Sequence, residues 1–353
     1  MGIMMNNRLK NKRLFFMLII FSTVGCQNTP INDDGSPTPT FLTNTTVEKP
    51  QPSDSQSLKK GPFGNAKTVT SKRPTQRTCW DTSGEGRVFI LAVGSNMNGL
   101  TETNRDAKRF AKTMRELFHV RHNRVCVLAN AYKEEFVQAL ERLGDSRRVG
   151  ADDLVIIFYS GHGAQSNDDN DDEKLDRLDE FFGTIAPKPR TRYLLRDDDF
   201  SALIQNIPTP NILTFIDACF SAGLTKGDNS KKPIKNERIK YFDATTFDDA
   251  TIPNSGRTHV GTTLDPVKGV LLSASMENQP AVELARRGGR FTLFFLEALK
   301  QARQKRQLVD LLTVFEKTRH NVYQHSQQHS DKVQIPVKKG PDEIFRRING
   351  YIP

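Results

Sequence analysis

Apolar residues run without alternation through Leu154–Tyr159 and Ile212–Ile216, and each run breaks at small residues. Alternation marks a strand with one wet face, so unbroken β-branched runs of this length predict strands buried on both faces. Arg87–Gly94, Arg124–Leu128 and Gly269–Ser275 read the same way. Between them the period changes. Ala107, Phe110, Ala111, Met114, Leu117 and Phe118 recur at threes and fours, as do Phe136, Val137, Leu140 and Leu143, which predicts helices over Thr103–Phe118 and Glu134–Leu143. Further helices are predicted over Phe200–Ile204, from Phe291 through Leu299 and over Leu308–Val322, with a short extended piece at Gln334–Val337. Strand, helix, strand, helix, strand gives an α/β fold with a central, mostly parallel sheet and right-handed crossovers. No glycine-rich nucleotide signature follows any strand, so a nucleotide site and an organic cofactor are not expected.

The two central strands deliver reactive residues. The first ends in Ser160-Gly161-His162-Gly163 and the second in Asp217-Ala218-Cys219-Phe220-Ser221-Ala222-Gly223. Ligands bind beyond strand ends in such sheets. An imidazole beside a thiol generates the thiolate and later protonates the leaving group. His162 and Cys219 are therefore the candidate catalytic pair.

Their motifs and spacing of 57 residues (219 − 162) resemble the caspase-like cysteine peptidases, and metacaspases with their bacterial relatives more than animal caspases. The likeness spans about 85–325. Phe220 stands where relatives usually carry a second histidine. The resemblance implies a three-layer α/β/α sandwich, a monomer acting on peptides and proteins, and cleavage after Arg or Lys. It implies an oxyanion site at the amides of Gly163 and Cys219, and an acidic floor for the basic side chain at Asp217, with Asp106 as a second wall. The segment from Glu283 to Thr292 resembles the part that walls the substrate groove. Eight of the thirteen residues from Asp168 to Glu180 are acidic, and this stretch resembles a metacaspase loop associated with calcium activation. Asp168, Asp169 and Asp172, with Asp197 and Asp198 from a second acidic motif, are the candidate Ca2+ ligands. The competing readings are a solvated loop and ordinary helix-end carboxylates.

Composition divides the chain. Its 353 residues carry a net charge of +10, but residues 1–79 hold eleven basic and four acidic residues, leaving +3 for the remainder. That balance is ordinary for a folded domain, and nucleic-acid binding is not expected. Arg8 to Arg13 followed by Leu14 to Phe21 and a small-residue stretch ending at Cys26 has the layout of a secretory leader. Val24-Gly25-Cys26 resembles a lipoprotein box, so residues 1–26 are read as a signal with Cys26 lipidated. That reading places the protein at the membrane of a bacterial envelope, facing the periplasm or exterior. Residues 27–79 are polar and proline-rich and read as a disordered tether. The peptidase-like domain is expected over 80–340, divided into 80–225, a loop at 226–266 and 267–340, with 341–353 a tail. Cys126 sits in an apolar run, so a buried free thiol is expected there in preference to pairing with Cys79, and a fold not held by disulfides. The basic cluster from Lys226 to Lys240 is the expected site of self-cleavage, with Lys235 and Arg238 preferred. An inactive scaffold and a different thiol chemistry, such as transpeptidation, are the alternatives to peptide hydrolysis.

Overall fold

The structure, a computed structural model, describes residues 79–80, 87–167, 178–185, 194–220, 237–241, 268–276, 279–304, 308–330 and 332–353. In chain order the elements are β1 (Val88–Gly94), α1 (Thr103–Leu117), β2 (Val125–Ala129), α2 (Lys133–Leu143), β3 (Leu154–Ser160), β4 (Gly163–Asn167), β5 (Leu178–Gly183) and β6 (Leu194–Arg196). They continue as α3 (Asp197–Gln205), β7 (Ile212–Asp217), β8 (Glu237–Ile239), β9 (Val270–Ser273), β10 (Val282–Leu284) and β11 (Gly288–Gly289). The chain closes with α4 (Arg290–Gln304), α5 (Leu311–His329), β12 (Val337–Lys339) and α6 (Asp342–Asn349).

Six strands form the main sheet in the order β12-β9-β7-β3-β1-β2. All pairings are parallel except that of β12 with β9. Strands β1, β3, β7 and β9 are almost wholly apolar and buried because both their faces are covered, whereas β12 at one edge carries Lys338 and Lys339. Val88, Ile90, Ala92, Ile156, Phe158, Leu213 and Phe215 pack with α1, α4, α5 and α6. Their neighbours Phe89, Leu91, Val93, Val155, Ile157, Tyr159 and Ile216 pack with α2 and α3. Successive side chains on a strand point to opposite faces, so one continuous apolar run feeds two cores. The result is the expected three-layer α/β/α sandwich. Two small antiparallel sheets, β4-β5-β6 and β8-β10-β11, lie outside it.

Two expectations change. Cys79 and Cys126 form a disulfide, with Cα atoms 5.5 Å apart. The apolar neighbours of Cys126 say only that it is buried, and a disulfide sulfur is as apolar as a free thiol. Residues 341–353 are also more than a tail, since Ile344, Phe345 and Ile348 of α6 are buried in the core against α5. Among the described residues no helix is long and apolar enough to cross a membrane.

Candidate active site

Strands β3 and β7 are neighbours, and their register pairs Ser160 with Asp217. His162 and Cys219 each stand two residues beyond that pair, so the parallel pairing sends both off the same sheet edge. The two turns touch. A side chain at Gly163 would overlap the carbonyl of Cys219, and only glycine permits the approach. Below His162, the buried Tyr159 hydroxyl lies between the carbonyl oxygens of His162 and Gly183, at 2.7 and 2.8 Å. Phe220 packs edge-on against Phe182, their centroids 5.3 Å apart, and so anchors the turn after the thiol in the α2–α3 core.

Burial governs the chemistry of both groups. His162 is 3 % exposed, with Nε2 3.4 Å from the carbonyl of Asn98. Loss of water lowers its pKa to about 4, against weaker upward pulls from the backbone of Asn98 and Met97. The Cys219 thiol is fully buried, accepts from the amide of Ala281 at 2.6 Å and lies 3.2 Å from that residue's carbonyl. Its pKa rises to about 12, again mainly through burial. Imidazole and thiol are thus both neutral.

What buries them is the chain itself. Strand β8 pairs antiparallel with β10, and Lys240 follows directly. The amides of Gly163 and Cys219, expected to hold an oxyanion, both donate to the Lys240 carbonyl, at 2.9 and 3.2 Å. Its own amide donates to the carbonyl of Ala281 at 3.0 Å. The fully buried Lys240 ammonium lies 2.9 Å from Asp217 Oδ1, donates to Ser160 Oγ at 2.9 Å and reaches the Asp217 carbonyl at 3.1 Å. Thr292 holds the other carboxylate oxygen of Asp217 through its hydroxyl at 2.6 Å and its amide at 3.2 Å.

Asp106, the expected second wall, is in the same pocket. Its Oδ2 accepts from the amide of Gly289 at 2.7 Å and the Ser160 hydroxyl at 3.4 Å. Burial lifts its pKa to about 7, opposed chiefly by the positive charge of Lys240. Gly288 and Gly289 close the pocket, and a side chain at Gly289 would meet both the Asp217 carboxylate and the Lys240 ammonium.

The geometry puts Lys240 in the pocket in place of the expected Arg238, while Lys235 lies outside the described residues. Arg238 instead lies opposite Glu283 in the β8–β10 register, 3.0 Å from its carboxylate. Asp168, Asp169 and Asp172 also lie outside the described residues, as do Cys26 and residues 27–78 of the tether. Asp197 begins α3 and accepts from the amide of Glu180 at 3.2 Å, and Asp198 follows in the same first turn. Among the described residues no group of three or more His, Cys, Asp or Glu side chains is placed to hold a metal ion.

Sequence reasoning missed Lys240 and Ser160 as members of this constellation, whereas Glu283 and Thr292 bound the segment expected to wall the groove. Lys240 carried a faint signal as the last member of the basic cluster. The sequence model described as Caspase domain matches residues 86–340. A search of curated proteins finds no match. Protein GSU0716 from Geobacter sulfurreducens has a similar structure, with a TM-score of 0.50 and 19% identity over 74% of this chain and 96% of that one. Caspase-1 from Spodoptera frugiperda gives a TM-score of 0.43 and 15% identity over 76% of this chain and 91% of that one.

Proposed function

This chain belongs to the caspase-domain family of cysteine peptidases, and on that premise we propose that it is an endopeptidase cutting after Lys or Arg, with its own Lys240–Tyr241 bond the first substrate. One observation carries the reading. Lys240 places its carbonyl on two amides beside a thiol while its ammonium meets a buried carboxylate.

In the proposed reaction the Cys219 proton passes to His162 and Sγ bonds to the carbonyl carbon. The negative oxygen stays on the amides of Gly163 and Cys219, which strengthen their hold as charge develops. The C–N bond then breaks as His162 protonates the leaving amine, and water hydrolyses the thioester to a carboxylic acid, returning the thiol. Asp217 selects the basic side chain, because a carboxylate in a dry pocket attracts a cation far more than in water. Arg offers the same pocket two parallel hydrogen bonds.

A second reading, an inactive relative whose groove is permanently filled by its own chain, draws on the neutral, buried thiol. Calcium activation through the acidic stretch and anchoring through Cys26 remain proposals on the sequence alone. The deciding experiment is intact-mass analysis of wild-type and Cys219→Ala protein, with fluorogenic peptides ending in Lys, Arg or Asp. A cut between Lys240 and Tyr241 that C219A abolishes, together with Lys/Arg turnover, is expected. An uncut wild-type chain without turnover supports the inactive reading. Cleavage after Asp refutes the assignment of Asp217.

A further inference from the structure

The segment ending at Lys240 lies in the groove as a peptide would, so its other contacts record what the groove recognises. Counting back from the Lys240–Tyr241 bond, Ile239, Arg238 and Glu237 occupy the second, third and fourth positions. All three are held in extended form by antiparallel pairing with Val282, Glu283 and Leu284. Adding a strand to an exposed edge leaves side chains on alternate sides to set specificity.

At the third position Arg238 donates to Glu283 Oε1 at 3.0 Å and to the Thr101 hydroxyl at 2.7 Å. The Glu283 carboxylate is itself fully buried and fixed by the amides of Thr101, at 3.0 and 3.2 Å, and Glu102, at 2.9 Å. It is a preformed acceptor, held by the backbone whatever the peptide offers. The fourth position has opposite polarity. Glu237 pairs with the buried guanidinium of Arg290 and accepts from the Ser330 hydroxyl at 2.7 Å. Gln334 Oε1 holds Arg290 from another side, at 3.3 Å. A cavity of about 1010 Å³ adjoins both positions, lined by Thr101, Glu237, Arg238, Arg286, Arg287 and His325 among others. Among the described residues the second position meets no such group, and Ile239 is 41 % exposed.

We infer that Glu283 and Arg290 are specificity-determining residues. They select external substrates with an acidic residue four positions and a basic residue three positions before a cut after Lys or Arg. The inference rests on the proposed peptidase reading, and no part of that reading requires it. Neither residue touches the reacting atoms. Each recognises charge at a fixed distance from them.

The test compares kcat/KM for Glu-Arg-Ile-Lys, Ala-Arg-Ile-Lys, Glu-Ala-Ile-Lys and the swapped Arg-Glu-Ile-Lys, each as an aminocoumarin amide, on the full self-processed chain. The fourth-position pair is buried, so replacing Glu by Ala should cost about tenfold. The third-position pair is half exposed and should cost roughly threefold to fivefold. The swapped peptide should be the poorest of the four. In Glu283→Gln the ratio for Arg over Ala at the third position should collapse, and in Arg290→Met the ratio for Glu over Ala at the fourth. Ratios taken on one preparation do not depend on how much of a variant folds. Equal rates for all four peptides with cleavage after Lys intact overturn this inference alone. Absence of cleavage after Lys on every peptide overturns it together with the peptidase reading.

Discussion

Replacing Lys240 by Met, in a Cys219→Ala background that excludes the proposed self-cleavage, isolates the buried charge cluster. Methionine keeps much of the apolar stem and removes the ammonium that stands 2.9 Å from Asp217 Oδ1 with both side chains fully buried. Breaking a buried ion pair from one side costs about 3–5 kcal/mol, because the remaining charge is left without compensation. For a domain of this size that is a fall in Tm of roughly 10 °C. The pH dependence supplies a second check. Asp106 is raised from 3.8 to about 7, first by burial, with Lys240 the strongest influence against that rise. A carboxyl whose folded value exceeds its unfolded one contributes fully below about 3.8 and loses that contribution as pH rises through 7, a span of about 4 kcal/mol. Without the ammonium the folded value climbs further, so the variant should go on losing stability above pH 7 after its parent has levelled off. Asp217→Asn added to the Met variant should recover most of the loss. Urea denaturation and calorimetry from pH 5 to 9 measure all of this. A Met variant as stable as its parent, with the same pH profile, refutes the buried pair as an energetic feature.

Other outcomes follow from separate features. Reduction, or Cys79→Ser with Cys126→Ser, should lower stability by about 4 kcal/mol, the value expected for a bridge closing a separation of 47 residues. Identical urea midpoints with and without reductant would contradict it. His162, lowered to about 4 from 6.5, contributes stability that is present above pH 6.5 and lost as pH falls toward 4. His162→Gln should flatten that limb by about 3 kcal/mol, and an unchanged acid limb would count against a buried neutral imidazole. If residues 168–172 bind calcium, peptide turnover should rise between micromolar and millimolar Ca2+ and fall in chelator, whereas equal rates favour a solvated loop. Expressed in a bacterial host, the chain should take up a palmitate analogue that Cys26→Ser loses, and an unlabelled wild-type chain rejects the anchor.

The sequence exposed those parts of the molecule in which local pattern and burial agree. β3 and β7 were legible because a strand covered on both faces is apolar at every position, and α1 because one buried stripe imposes its period. The turn residues after those strands revealed where the reactive groups leave the sheet. The β4-β5 hairpin was hidden by its polarity, since Gln165 and Glu180 are buried there and satisfy one another across the strands at 2.8 Å. α6 spans only Asp342–Asn349 and shows barely two turns of periodicity. The role of Lys240 could be read only as membership of a basic cluster. In sequence it is one of several lysines in a polar stretch, and its meaning comes from Asp217, Ser160 and two amides on other elements. Arg238 was the more attractive neighbour by sequence, yet the β8–β10 register sets it directly opposite Glu283.

Two amides can hold only one carbonyl oxygen at a time, and in this chain both already hold one. An incoming peptide therefore competes with a rival that never diffuses away, since Lys240 is tethered to β7 through residues 218–239 and to β9 through residues 241–269. A short tether confers an effective concentration in the millimolar range, so a free peptide with equal contacts is outnumbered at any ordinary concentration. Cutting after Lys240 removes only one of the two tethers. On the proposed reading, the new carboxyl terminus would remain attached beside the site it came from, and catalysis on other proteins would depend on how often that end lets go.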